Sequence, residues 1–184
     1  MDQITVTSGR QGKLTHILCR PGSIMGEVEI PSDTAFVGIN SMVKHSVGGV
    51  AYGSVRIGAF MGKRIINQIR AKNGQSPLRH LTELTIDAFE KEYRHVLPEA
   101  RVGSEFLAEY QSHDDPITKI QPDANYRVLG PTAHPVYENH RVLQFIDHLK
   151  AAADHNEDAL VAAGESMFAS HDSYRDNCLL SVPE

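Results

Sequence analysis

Cysteine is scarce in this chain, basic charge is not in excess and no long apolar run occurs, and each shortage removes a class of function. Two cysteines, Cys19 and Cys178, are too few for a disulfide framework and suit a reducing cytosol. A formal net charge of -5 without a basic stripe argues against a nucleic-acid partner. No apolar run approaches the ~20 residues of a membrane span, and the polar start MDQITVTSGRQGK does not read as a signal peptide. A cytoplasmic protein without a membrane partner is therefore expected. Nothing matches the G-x-x-x-x-G-K-[ST] phosphate loop, and no Ser/His/Asp or Cys/His set stands in a nucleophile's context.

Ten histidines invite a metal, yet the two best groupings are poor ones. His134 and Glu138 share helical spacing with Arg141, whose charge repels a cation. His113 with Asp114 and Asp115 has suitable donors, but three adjacent loop residues seldom close a coordination sphere. No metal site is expected.

The 184 residues, 41% of them hydrophobic, do suffice for a core. The pattern changes near residue 51. Before it, runs at 15–20, 27–30 and 35–40 alternate with Gly, Pro and Ser turns and predict short antiparallel strands. After it, helices dominate, so the fold class is α+β. Val55, Ala59, Gly62, Ile66 and Ile69 recur at helical spacing, with Asn73-Gly74 as a stop signal, and Gly58 and Gly62 predict a close approach by another backbone. Thr85 is placed to cap a helix through Val96, with Pro98 just beyond. Pro135 suits the first turn of a helix whose apolar face is Val136, Leu143, Ile146 and Leu149. Asn156 is an N-cap for a last helix marked by Leu160, Gly164, Met167, Phe168 and His171. Residues 112–135 read as a loop-rich connection.

The segment from Asn40 to Ile66, NSMVKHSVGGVAYGSVRIGAFMGKRII, is the richest in chemistry. Asn40, Ser41 and Ser46 carry short hydrogen-bonding groups, and His45 titrates near neutrality. Gly48 and Gly49 let a ligand come close to the backbone. Tyr52 and Arg56, at i and i+4, share one helix face, aiming a hydroxyl and a planar cation at the same place. Two readings fit these residues: a surface turn entering a helix, or a small-molecule site. The strand-like run Ala35-Phe-Val-Gly-Ile39 leading into Asn40 favours the second.

Several stretches in order also carry a resemblance. Met1-Asp2-Gln3 resembles an M-D-Q segment, and Asn40-Ser41 through Arg56 an N-S-x-V-[RK]-H-S segment with its following Tyr and Arg. Ser54-Val-Arg-Ile-Gly-Ala-Phe-Met-Gly62 and Pro131-Thr-Ala-His-Pro-Val-Tyr-Glu-Asn139 are more specific, while Ser170-His171 and Ser181-Val-Pro-Glu184 resemble S-H-x-S and S-x-P-E pieces. Together they are similar to the galactokinase branch of the GHMP sugar and metabolite kinases, in its L-arabinokinase-like version. The resemblance implies a partial GHMP-kinase fold, with residues 1–50 a remnant of the N-terminal lobe and residues 51–184 an incomplete, mainly helical C-terminal lobe. It implies transfer of the γ-phosphoryl group of ATP, with Mg²⁺, to the anomeric hydroxyl of a monosaccharide, L-arabinose or galactose. Asp2 is then the catalytic residue beside that hydroxyl, and Tyr52, Asn40, Ser41, Gly48, Gly49 and Arg56 are substrate-binding.

The family's G-L-S-S-S phosphate loop and Mg²⁺ ligands would lie ahead of M-D-Q, and its G-G-G-F-G-G segment after S-x-P-E. An interior fragment is therefore expected, inactive alone and without tight ATP binding. Alternatives are one half of a split kinase, paired with a missing N-terminal half, and a non-catalytic sugar-binding or scaffold protein. Uncovered strand edges and helix faces predict a homodimer.

Overall fold

The computed structural model describes residues 2–19, 22–40, 42, 49–153 and 155–181, the side chain of Asp2 excepted. Its elements are α1 (Asp2–Ser8), β1 (Lys13–Leu18), β2 (Ser23–Glu29), α2 (Val50–Lys72), α3 (Ile86–Ala88), β3 (Ala100–Val102), α4 (Gly103–Tyr110), β4 (Asn125–Arg127), α5 (Leu129–Ala152) and α6 (Glu157–Asp176). Long helices and two small antiparallel sheets make the α+β class expected from the pattern. No helix among the described residues is long and apolar enough to cross a membrane.

Two compact units divide the chain: residues 1–40 with 141–169, and residues 41–140 with 170–184. The first holds the hairpin β1–β2, with Lys13 opposite Glu29 and an irregularity between His16 and Ile17. Lys13 Nζ lies 3.4 Å from Glu27 and 3.3 Å from Glu29, tying the pair across the strands. Val28, Leu149 and Ala163 form its buried cluster, flanked by Leu14, Phe145, Ile146 and Leu160. The expected strand at 35–40 does not form. Without a ladder partner its apolar side chains stay largely in solvent (Val37 79%, Ile39 90% exposed), while Phe36 meets the edge of Phe145.

The second unit is built around α2. Met61 and Ile66 have no exposed surface and pack with Phe89, Tyr93, Phe106, Val128 and Val136. The helix stops where Asn73-Gly74 predicts, Gly74 taking the left-handed conformation (φ 69°) that glycine tolerates best. A Cβ on Gly58 would lie 1.9 Å from the Arg127 carbonyl oxygen, and one on Gly62 1.8 Å from Thr132 Oγ1. These two glycines therefore let β4 and α5 close onto α2. Thr85 accepts a hydrogen bond from the Ala88 N–H (3.1 Å), and α3 runs on through a π turn (Phe89–Tyr93) and a 3-10 turn (Arg94–Val96) to Pro98.

Three expectations shift. The region 112–135 holds β4, and α5 starts at Leu129, so Pro131 occupies the first turn and Pro135 lies inside the helix. Strand β3 and helix α4 arise where no periodic pattern announces them, β3 pairing with β4 from Ala100 opposite Arg127 to Val102 opposite Asn125. Asn156 caps α6, its Oδ1 accepting from the Ala159 N–H (3.1 Å), but the buried face runs through Ala159, Ala163 and Ser173, one position from the predicted stripe. Met167 and Phe168 are exposed (52% and 74%), since smaller side chains occupy the inward positions of the helix.

Candidate functional site

Helix α2 carries the candidate site in its first two turns. Gly49 stands at the N-cap with φ -71° and ψ 159°, an extended conformation open to any residue. Tyr52 is exposed (42%) and Arg56 follows one turn later on the same face. The structure thus brings those two together. Asn40 is exposed and belongs to the other unit, as does the backbone of Asp2, the first residue of α1. Ser41 and Gly48, with His45 and Ser46, lie outside the described residues, as does the Asp2 side chain.

Arg56 is held by a residue 59 positions away. Its Nε and Nη2 donate to the two carboxylate oxygens of Asp115 at 2.7 and 2.8 Å, a planar fork matched to a carboxylate. The Asp115 side chain has no exposed surface, whereas that of Arg56 is 30% exposed. Asp115 Oδ2 also accepts from Thr118 Oγ1 (2.6 Å) and the Thr118 N–H (3.2 Å), and Oδ1 from the Ile117 N–H (3.3 Å). The Arg56 guanidinium, followed by the Thr118 hydroxyl and the Ile117 amide, holds the Asp115 carboxyl well below the usual carboxylate range against the opposing pull of burial. Arg56 is pushed up in turn, chiefly by its hydrogen bond to Asp115.

A buried imidazole backs this loop. His113 Nδ1 accepts from the Asp115 N–H (3.3 Å), which leaves Nε2 as the protonated nitrogen donating to Thr118 Oγ1 (3.1 Å), whose own proton goes to Asp115. Burial lowers the His113 pKa, in keeping with the neutral ring. Phe60, one turn beyond Arg56, lies under both the Arg56 guanidinium (5.0 Å to the ring centre) and Lys63 Nζ (4.7 Å). His113 and Asp115 were weighed on the sequence only as metal donors; here their donor atoms are committed to Thr118 and Arg56. Among the described residues no group of three or more His, Cys, Asp or Glu is arranged to hold a metal ion. A local signal for this knot was present in Asp115 itself, since an Asp side chain readily accepts from the backbone N–H two residues on, here that of Ile117.

A concavity of about 190 Å³ opens beside the same helix, between Ala51, Ser54 and Val55 of α2, Tyr126 and Arg127 of β4, and Cys178. Burial pushes the Cys178 thiol up to about 11, so it stays protonated and unreactive at neutral pH.

In sequence the chain is similar to sugar kinases. Over 95% of the chain it is 36% identical to an L-arabinokinase of Arabidopsis thaliana, and over its whole length 26% identical to a galactokinase of Haemophilus influenzae and 28% to one of Actinobacillus pleuropneumoniae. It spans 19% of the arabinokinase and 37% of each galactokinase. No family model matches the chain, and no solved structure matches it.

Proposed function

We propose that this chain carries the sugar-facing part of an ATP-dependent sugar 1-kinase that phosphorylates the anomeric hydroxyl of L-arabinose or galactose. The observation that carries the site is the pair Tyr52 and Arg56 on one face of α2, with Arg56 already oriented by a buried carboxylate. The relation to an L-arabinokinase and to galactokinases supports the class of chemistry. In that chemistry the sugar oxygen attacks the γ-phosphorus, the bond to the bridging oxygen of the nucleoside diphosphate breaks, and the hydroxyl proton passes to Asp2. Tyr52 and Arg56 are assigned to the remaining hydroxyls, and Asn40, Ser41, Gly48 and Gly49 keep the substrate-binding role that the resemblance implies.

The given sequence contains no match to a phosphate-loop motif, whose row of backbone N–H groups would hold the triphosphate with its Mg²⁺. We assign no step of theirs to this chain. By itself it is expected to show no turnover in a coupled assay with Mg-ATP and a panel of monosaccharides. Turnover in the kinase range of about 1–100 s⁻¹ would overturn that expectation. With the ATP-binding half supplied as a fusion or in trans, Asp2→Asn should lower kcat far more than it raises KM, and Tyr52→Phe should mainly raise KM. Equal rates for Asp2→Asn and the unmodified protein would remove Asp2 from the chemistry.

A sugar-binding protein without catalysis is the second reading, favoured by the Arg56–Asp115 arrangement; saturable sugar binding without turnover distinguishes it. We place the protein in the cytoplasm, as its unpaired cysteines suit. We also assign it a homodimer, supported by the exposed Val161, Met167 and Phe168 of α6, which light scattering tests: a mass near 20.3 kDa at high concentration refutes it.

A further inference from the structure

We propose that Asp115 is a positioning residue that makes Arg56 an oriented hydrogen-bond donor to an uncharged sugar hydroxyl and keeps it from acting as a phosphate clamp. This rests on the sugar-site reading above and adds to it a residue and a selectivity.

Three constraints fix the guanidinium. The fork to Asp115 occupies Nε and Nη2, setting the plane and leaving Nη1 as the edge outside the fork. The Phe60 ring lies against one face at 5.0 Å. Asp115 cannot follow a departing arginine, because Thr118 and the Ile117 amide grip its oxygens from the other side and its side chain is wholly buried. The loop holding it is itself strained: Gln111 and Asp114 sit at φ 64° and 63°, in the left-handed region that residues other than glycine enter at a cost. Such strain persists where the surroundings over-determine it, and the bonds from Arg56, Ile117 and Thr118 to Asp115 are one hold on this loop. A donor preset in this way loses little entropy on binding.

Charge then selects the ligand. Arg56 and the deeply buried carboxylate form a pair of zero net charge, whose field falls off as a dipole's rather than as a lone cation's. A phosphate ester draws its affinity from unpaired positive charge, whereas a hydroxyl needs only a well-aimed donor and an acceptor. Tyr52, one turn away on the same face, adds a phenolic hydroxyl that serves as either. A free sugar is thereby admitted, and its phosphorylated product gains nothing from Arg56, which favours release.

Calorimetry with D-galactose, L-arabinose and galactose 1-phosphate tests the selectivity, and the Arg56 Nε–H resonance, with its solvent-exchange rate, tests the positioning. In the wild-type chain the free sugar should bind at least as well as the phosphate and the Nε–H should exchange slowly. Asp115→Asn should speed that exchange, weaken the free sugar about tenfold, the share of one charged hydrogen bond, and raise the phosphate-to-sugar affinity ratio about tenfold or more. Thr118→Val should shift both in the same direction to a smaller extent, and it serves if Asp115→Asn does not fold. An unchanged affinity ratio with a faster-exchanging Nε–H would overturn the selectivity, since a merely structural Asp115 weakens both ligands alike. Fast exchange in the wild type would overturn the positioning. If the wild type binds neither sugar nor phosphate, the sugar-site reading fails, and the positioning of Arg56 by Asp115 is decided by the arginine resonance.

Discussion

The unit of residues 41–140 and 170–184 encloses aromatic and branched side chains with no exposed surface, among them Met61, Ile66, Phe89, Tyr93, Phe106 and Val128, whereas the unit of residues 1–40 and 141–169 gathers its hydrophobic cluster on Val28, Leu149 and Ala163. Buried apolar area sets how much each unit resists opening, at roughly 25 cal/mol per Å². The larger core therefore belongs to the unit that carries Tyr52, Arg56 and Asp115. A donor geometry held to a few tenths of an ångström needs such a support, while a hairpin on a small cluster opens at low free energy.

The contrast is broken most severely by Phe89→Ala, which removes a fully buried ring from the larger core and should cost about 3–5 kcal/mol in urea unfolding. If amides of the β1–β2 hairpin lose protection to the same extent as those of α2, the two units unfold as one and the contrast is not energetic.

Asp115→Ala comes next, at about 3 kcal/mol, because it strands the Arg56 charge after removing a buried partner. Its pH dependence follows from the lowered pKa of Asp115. The unfolded carboxylate titrates near 3.9, so the contribution is complete above that value and disappears as pH falls toward the folded pKa. The gap between wild type and variant should hold from neutral pH down to about pH 5 and narrow below pH 4. A gap that narrows between pH 8 and 6 instead would place the effect elsewhere.

Leu149→Ala should cost about 2 kcal/mol, the low end for a buried leucine, since a small cluster can collapse around the gap. Hydrogen exchange should speed up in β1 and β2 and stay unchanged in α2. The smallest effects come from the two caps, Thr85→Ala and Asn156→Ala, at about 1 kcal/mol each. Loss of Thr85 should register in the global midpoint and loss of Asn156 in local exchange at the start of α6. Equal behaviour of the two would show that the smaller cluster is as cooperative as the larger core.

Much of this architecture was legible in the chain. The spacing from Val55 to Ile69 with Asn73-Gly74, the caps at Thr85 and Asn156, and the close approach at Gly58 and Gly62 all appear as read. The run at 35–40 was misread as a strand because β-propensity says nothing of whether a partner strand is present. The buried face of α6 was misplaced by one position because hydrophobicity ranks Met167 and Phe168 above the small Ala163 and Ser173 that pack inward. Of the candidate site, Tyr52 and Arg56 share one helix face as their i, i+4 spacing predicts, a local property of a helix.

Local order along the chain was enough to set the α+β class, the long helices and the pairing of a hydroxyl with a cation on one face of α2, because caps, stop signals and helical periodicity act over a few residues. Which carboxylate Arg56 steadies was decided by the fold alone. Asp115 lies 59 positions further on, in a loop whose burial and bond to Arg56 exist only in the folded chain. Asp114 and Asp115 are adjacent and alike in the chain, yet one side chain is half-exposed beside Arg64 and the other is buried on Arg56. Desolvation and the fork geometry separate them, and both arise from tertiary contact.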